Sequence, residues 1–251
     1  MNMENCKLIV ERPYKKVYKC DKSIVKVFDN THPKADVFNE ALNTARVEAA
    51  GLDIPKLQEV TQVDGKWAIA IEYKDGKTLE EMMAVDPGNM EKYMEDFVDL
   101  QLEVHSKKAP LLNKLKDKLA RQINSLTELD ATARYELMTR LESMPKHAKV
   151  CHGDFNPSNV IVGKNGKMTV VDWAHATQGN ASADAAMTYL LFALKNQETA
   201  DLYMKIFCKK SDTAKQYVQQ WLPIVAAAQL TKNNELEKDF LMKWIDVMDY
   251  Q

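Results

Sequence analysis

Residues 150–173 constrain this chain most. Two apolar, β-rich runs, Asn159 to Val162 and Met168 to Val171, are joined by Lys164-Asn165-Gly166-Lys167, a hairpin signal. Val150-Cys151 stands ahead of them, followed by the Gly- and Pro-containing loop His152-Gly153-Asp154-Phe155-Asn156-Pro157. Helical periodicity lies on both sides. Met90, Met94, Phe97, Gln101 and Val104 recur at helical spacing, as do Leu129, Ala133, Leu137 and Leu141, and long helical patterns follow Asp184. The region is thus mainly helical, with this β-rich island as its exception.

The first third reads differently. Short β-rich runs, Leu8 to Val10, Val17 to Lys19, Ile24 to Phe28 and Trp67 to Tyr73, predict a small antiparallel sheet, the last run following an Asp64-Gly65 turn. One helix interrupts it: Phe38, Leu42, Ala45 and Ala49 share a face, Gly51 stops the pattern and Pro55 lies just beyond. The order predicted is β-β-β-α-β. Thr78 and Glu81 form a capping box after Asp75-Gly76, which marks a change of architecture near residue 75. The expectation is an α+β chain with a β-rich segment 1–75 and a mainly helical segment 76–251.

Composition limits the partners. Lys+Arg 34 against Asp+Glu 36 leave a formal charge of -2, so no long-range field favours nucleic acid or an acidic membrane surface. No stretch reaches the roughly 20 apolar residues of a membrane helix, and a cytoplasmic protein, monomer or weak dimer, is expected. Cys6, Cys20, Cys151 and Cys208 form no Cys-x-x-Cys pair and are read as reduced thiols.

The island carries the chemistry. Phosphoryl transfer requires a carboxylate to orient the acceptor hydroxyl, oxygen ligands for Mg²⁺ and a cation on the nucleotide phosphates. Asp154 sits in a loop between strands, Asn159 enters the next strand, and Asp172 closes the hairpin. Asn159 and Asp172 offer hard oxygens of the kind Mg²⁺ takes. Lys26 lies in an apolar run, where an unpaired ammonium would be costly.

His152-Gly153-Asp154-x-x-x-x-Asn159, followed by Val171-Asp172-Trp173, resembles the signature of the aminoglycoside phosphotransferase and choline kinase-like family, a small-molecule branch of the protein-kinase-like fold. The resemblance covers most of the chain. It implies two lobes, an antiparallel N-terminal sheet with one helix and a helical C-terminal lobe that bears the hairpin. It implies Mg²⁺ as cofactor, ATP or GTP as donor, and a small-molecule hydroxyl acceptor such as an amino sugar or amino alcohol. Lys26 matches the strand lysine that contacts phosphates, Glu40 its helix partner, and Glu72-Tyr73 the hinge. Asp154 matches the catalytic base, Asn159 and Asp172 the metal ligands, and Asp184 a structural anchor. Departures are the glycine-free turn Glu11 to Lys16, Ala174 where a glycine often stands, and Asn180 where aspartate is frequent.

Simpler readings stand beside these. Asp154 alone would pass for a turn residue, Glu40 for a solvated helix position, and Tyr73 for core. His152 reads as a brace for its loop, and His105 and His175 as structural. Asp201, Glu235, Asp239, Asp246 and Asp249 could collect a cationic acceptor and Trp221 and Trp244 could box a quaternary ammonium, but solvated faces and core packing are the default for each. A nucleotide-binding regulatory module without turnover, or a protein-modifying kinase, are the other classes that the sequence leaves open.

Overall fold

The computed structural model describes residues 3–245; Asp246 and Asp249 lie outside them. In chain order the strands are β1 (Cys6–Arg12), β2 (Lys15–Cys20), β3 (Ser23–Phe28), β4 (Leu57–Val63), β5 (Lys66–Glu72), β6 (Lys77–Thr78), β7 (Lys149–Cys151), β8 (Val160–Val162), β9 (Met168–Val170) and β10 (Thr177–Gly179). The α-helices are α1 (Lys34–Ala49), α2 (Leu79–Val85), α3 (Met90–Ser106), α4 (Leu115–Ser125), α5 (Ala131–Ser143), α6 (Ala181–Ala193), α7 (Gln197–Ser211), α8 (Lys215–Gln219), α9 (Leu222–Leu230) and α10 (Glu235–Ile245). These elements form two compact units: Met1–Met82 with Ser158–Ala176, and Met83–Pro157 with Thr177–Gln251.

The first unit holds a five-stranded sheet of order β1-β2-β3-β5-β4, antiparallel at every pairing. β4 is an element beyond the expected β-β-β-α-β order. Its sequence Leu-Gln-Glu-Val-Thr-Gln-Val is polar at the positions that face water, as an edge strand paired only with β5 can be. β6, β8 and β9 make a second, three-stranded sheet. A Cβ on Gly76 would collide with the Val162 carbonyl, so only glycine lets the chain enter β6 this close to β8. Thr78 and Glu81 cap α2 reciprocally: the Glu81 N–H donates to Thr78 Oγ1 at 3.1 Å and the Thr78 N–H to Glu81 Oε2 at 2.7 Å.

Two expectations change here. α1 turns Phe38, Leu42 and Ala45 outward and buries Val37, Glu40, Ala41, Asn43, Thr44 and Val47. The face that reads as apolar is the exposed one, because Glu40 and Asn43 are drawn inward by partners the helix cannot supply. Cys6 and Cys20 are also not free thiols. They stand opposite each other on β1 and β2, on the same side of the sheet, and are joined as a disulfide. Cys151 is a buried free thiol and Cys208 a half-buried one.

The second unit is helical around α6 and α9, which are buried almost throughout. Phe97, Phe155, Tyr203 and Phe207 are fully buried among them. β7 and β10 pair antiparallel, and β7 delivers the chain into the His152–Pro157 loop. Within the described residues no helix is long and apolar enough to cross a membrane.

Candidate active site

In the first unit the site is built around Lys26. β3 is a central strand of the sheet, and its Lys26 side chain is only 8% exposed. Two carboxylates compensate the buried ammonium: Nζ donates to Glu40 Oε1 at 2.5 Å and to Asp172 Oδ1 at 2.8 Å. Burial works against the charged form of Lys26, yet the fields of Asp172 and Glu40 outweigh it and hold its pKa above the ordinary lysine value. α1 is fixed to this site from a second point, since Asn43 Nδ2 donates to the Ala174 carbonyl at 3.1 Å. That contact and the Lys26 pair explain why the polar side of α1 faces inward.

Asp172 follows β9 and adopts left-handed backbone angles, φ 63° and ψ 66°. For a residue other than glycine this conformation is strained, and such strain is concentrated at functional positions. The Val171 N–H donates to the Asn159 carbonyl at 2.9 Å, which ties the entrance of β8 to the exit of β9. Asn159 and Asp172 are both half-buried at that end of the hairpin. An amide and a carboxylate are hard oxygen donors, few in number, as suits Mg²⁺, which keeps several waters and phosphate oxygens of its own. No cluster of three or more His, Cys, Asp or Glu able to hold a metal occurs among the described residues. The chemistry of Asn159 and Asp172 fits Mg²⁺.

Lys15, absent from the sequence expectations, reaches the same carboxylate. Its Nζ is 3.5 Å from Asp172 Oδ2. β1 ends at Arg12 and β2 starts at Lys15, so the glycine-free turn offers a side-chain cation where a glycine-rich loop would offer backbone N–H groups. Glu72 and Tyr73 lie at the end of β5. Glu72 is held by Lys74 at 2.9 Å and by the Lys56 N–H at 3.3 Å. Tyr73 lies under the Lys19 ammonium, 4.0 Å from the ring centroid, and its hydroxyl donates to Asp75 Oδ1 at 3.3 Å.

In the second unit one buried carboxylate sets the loop that carries Asp154. Asp184, at the start of α6, accepts from the Gly153 N–H at 2.7 Å, the His152 N–H at 3.1 Å and His105 Nε2 at 2.9 Å. Burial raises its pKa, but hydrogen bonding and charge from His105 and the Gly153 N–H prevail and hold it below the ordinary carboxylate range. His105, for which the sequence suggests no partner, thus has one. His152 is fully buried, and its Nδ1 accepts from the Asp154 N–H at 3.2 Å. Asp154 itself remains partly exposed, its side chain at 26%, with Lys232 Nζ 3.8 Å from Oδ1. Lys118 and Lys232 have no motif that announces them. α4 is not among the expected helices, although Leu115, Leu119 and Ile123 are spaced four apart along it.

Of the aromatic and acidic residues considered for a cationic acceptor, three have contacts that suit core packing. Trp221 is wholly buried and Trp244 packs on Tyr189 and Phe240, while Asp201 Oδ1 accepts from the Tyr189 hydroxyl at 3.3 Å.

The chain has the fold of known phosphotransferases over nearly all its length. A thermostable mutant of the aminoglycoside phosphotransferase APH(4)-Ia superimposes with a TM-score of 0.71 at 15% identity, covering 98% of this chain and 94% of that one. A choline/ethanolamine kinase family protein from Mesorhizobium loti gives 0.67 at 13% identity, with 98% and 89% covered. Choline kinase LicA from Streptococcus pneumoniae gives 0.67 at 11%, with 97% and 94% covered. No curated protein matches the sequence. The sequence model of the phosphotransferase enzyme family matches residues 15–215, a span that takes in Lys15, Lys26, Glu40, Asp154, Asn159, Asp172 and Asp184. With that match over most of its length and the α+β, protein-kinase-like fold of these enzymes, the chain belongs to the phosphotransferase enzyme family.

Proposed function

We propose that the protein transfers the γ-phosphoryl group of ATP or GTP to a hydroxyl of a small molecule. The observation that carries this reading is the Lys26 ammonium, buried between Glu40 and Asp172. Burying a charge is expensive, and a fixed lysine with a neighbouring metal ion is a common clamp on a transferring phosphoryl group. A neighbour of this fold, another form of APH(4)-Ia at 13% identity and TM-score 0.68, was crystallised as a ternary complex with ADP and hygromycin B, which supports a nucleotide and a small-molecule acceptor here.

In this reading Lys26 and Lys15 bind the nucleotide phosphates, and Glu40 keeps Lys26 extended toward them. Glu72 and Tyr73 flank the base. Asn159 and Asp172 hold Mg²⁺, whose contribution is to neutralise phosphate charge. Asp154 accepts the hydrogen bond of the acceptor hydroxyl and aligns its oxygen on the γ-phosphorus. The new P–O bond forms as the bond to the β,γ-bridging oxygen breaks; the nucleoside diphosphate leaves and the hydroxyl proton passes to Asp154. His152 and Asp184 act on this step only by fixing the loop.

The test is a screen of hydroxyl compounds for phosphate gain by mass spectrometry, with thermal shift for nucleotide. Mg²⁺-dependent stabilisation by ATP or GTP is expected. Asp154→Asn should lower transfer by about 10²–10⁴-fold while nucleotide stabilisation stays within error of the parent. Retained turnover in that variant removes the role of Asp154, and no stabilisation by any nucleoside triphosphate removes the reading as a whole.

A further inference from the structure

The first turn of α4 lines a cavity of about 320 Å³ in the second unit, together with segment 145–148, the end of β10 and Trp221. The Asp154 loop contributes none of its lining. A Cβ on Gly179 would collide with Leu115, so glycine there lets β10 lie against the start of the helix. Lys116 Nζ donates to the Glu142 carbonyl at 3.0 Å and to the Met144 carbonyl at 2.8 Å, which fastens the end of α5 beside the same turn. Gln178 Nε2 donates to the Pro110 and Leu112 carbonyls at 2.7 Å and 2.6 Å and so fixes the segment that leads into α4. Packing and hydrogen bonds thus hold the walls in place.

What the walls leave over is donors. Trp221 is wholly buried, yet its Nε1–H has no partner among the described residues, whereas a buried indole N–H ordinarily has one. α4 has 11 residues, and no side chain caps its start: Lys114 stands at the N-cap and can only donate. The first bond of the helix runs from the Lys118 N–H to the Lys114 carbonyl at 3.1 Å. The N–H groups of the turn ahead of it are therefore left at the positive end of the helix dipole, where anions are favoured. Three lysines, Lys114, Lys116 and Lys146, stand in the lining against one acid, Asp117. The wall's Asn180 is engaged on both sides, accepting from the Ser182 N–H at 2.9 Å and donating to the Tyr217 hydroxyl at 2.6 Å.

We propose that this cavity is a second ligand site, separate from the one assigned to phosphoryl transfer, and that it takes a small organic anion: a carboxylate or phosphate group on an apolar body. Its volume is at the small end of ligand pockets, which suits a body of about one ring. The anionic group sits at the start of α4 between Lys114 and Lys146. The body lies on Leu115 and Trp221, and the Trp221 N–H donates to an oxygen of the ligand.

Phenyl phosphate and benzoate are the probes, with benzyl alcohol and benzylamine as neutral and cationic counterparts and inorganic phosphate as the headgroup alone. In protein carrying isotope-labelled tryptophan, the indole N–H signal of Trp221, assigned by through-bond correlation, should move as phenyl phosphate or benzoate is added; the tighter of the two names the headgroup. Both counterparts and inorganic phosphate should bind about tenfold or more weakly than that probe. Lys114→Met combined with Lys146→Met, both at exposed positions, should weaken the anion about tenfold. Asp154→Asn should leave its affinity within about twofold of the parent. A Trp221 signal that no probe moves, a neutral or cationic counterpart that moves it at the same concentration, or an affinity that the lysine pair leaves unchanged overturns the proposal. Inorganic phosphate binding as tightly as phenyl phosphate overturns it as well, since the apolar floor then adds nothing, and so does loss of binding in Asp154→Asn, which would put the anion at the other site. None of these readings uses nucleotide or turnover, so they are independent of the outcome for phosphoryl transfer.

Discussion

Lys26 Nζ lies 2.8 Å from Asp172 Oδ1, so the ammonium that would meet phosphate and the carboxylate that would meet metal satisfy each other in the free protein. In the proposed function, binding of a metal nucleotide would exchange this contact for two new ones, Lys26 to phosphate and Asp172 to the cation.

Asp172→Ala should therefore abolish the Mg²⁺ dependence of nucleotide stabilisation in a thermal-shift titration, with Glu40 still holding Lys26 at 2.5 Å and the fold intact by circular dichroism. An unchanged metal requirement would place the cation elsewhere.

Glu40→Ala removes one of two counter-charges from a buried lysine. The loss expected in urea unfolding is about 2–3 kcal/mol, below the roughly 3–5 kcal/mol that follows when a buried charge loses its partner outright, because Asp172 remains. Nucleotide affinity should fall as well, since Asp172 is then the one carboxylate of the pair left to hold Lys26.

Asp184 gives the protein an acid limit. Its pKa is depressed in the folded state, so its contribution to stability is complete above the unfolded value near 4 and drains away as pH falls through the folded value. Asp184→Asn should flatten this part of the pH–stability curve and lower stability at neutral pH by roughly 3–5 kcal/mol, because His105 and the His152–Gly153 N–H groups lose a charged acceptor.

Lys118 acts in the opposite direction. Its folded pKa of about 8 lies below its unfolded value of 10.5, so the unfolded chain binds the extra proton between these values and stability rises with pH across that window. The groups facing it are Lys232, Arg121, Asp154 and Asp184. Lys118→Met should stabilise the free protein at neutral pH, and the gain should shrink toward pH 10.5; a loss of stability at pH 7 would contradict it.

The sequence exposed the parts of this structure that follow local rules. The capping box at Thr78 and Glu81 and the hairpin of β8 and β9 were legible from turn chemistry and spacing. α1 was legible as a helix but not in orientation. Glu40 and Asn43 are buried by Lys26 and the Ala174 carbonyl, partners that lie 14 and 131 positions away. Periodicity cannot report such contacts, so Phe38 and Leu42 looked like the core face. Cys6 and Cys20 gave no pairing signal because it depends on strand register, and β4 is too polar to stand out. Lys15 opens β2 and Lys232 lies in a turn, and each is distinguished only by the aspartate it approaches.

Beneath the Asp154 loop, Tyr203 donates to Gln101 Oε1 at 2.6 Å, Gln101 Nε2 to Thr188 Oγ1 at 3.0 Å, and Thr188 Oγ1 to the Phe155 carbonyl at 2.9 Å, all of it buried. The loop is thus moored from the interior. Exposed positions such as Lys232 lie outside this chain of bonds, so a substitution there leaves the mooring in place.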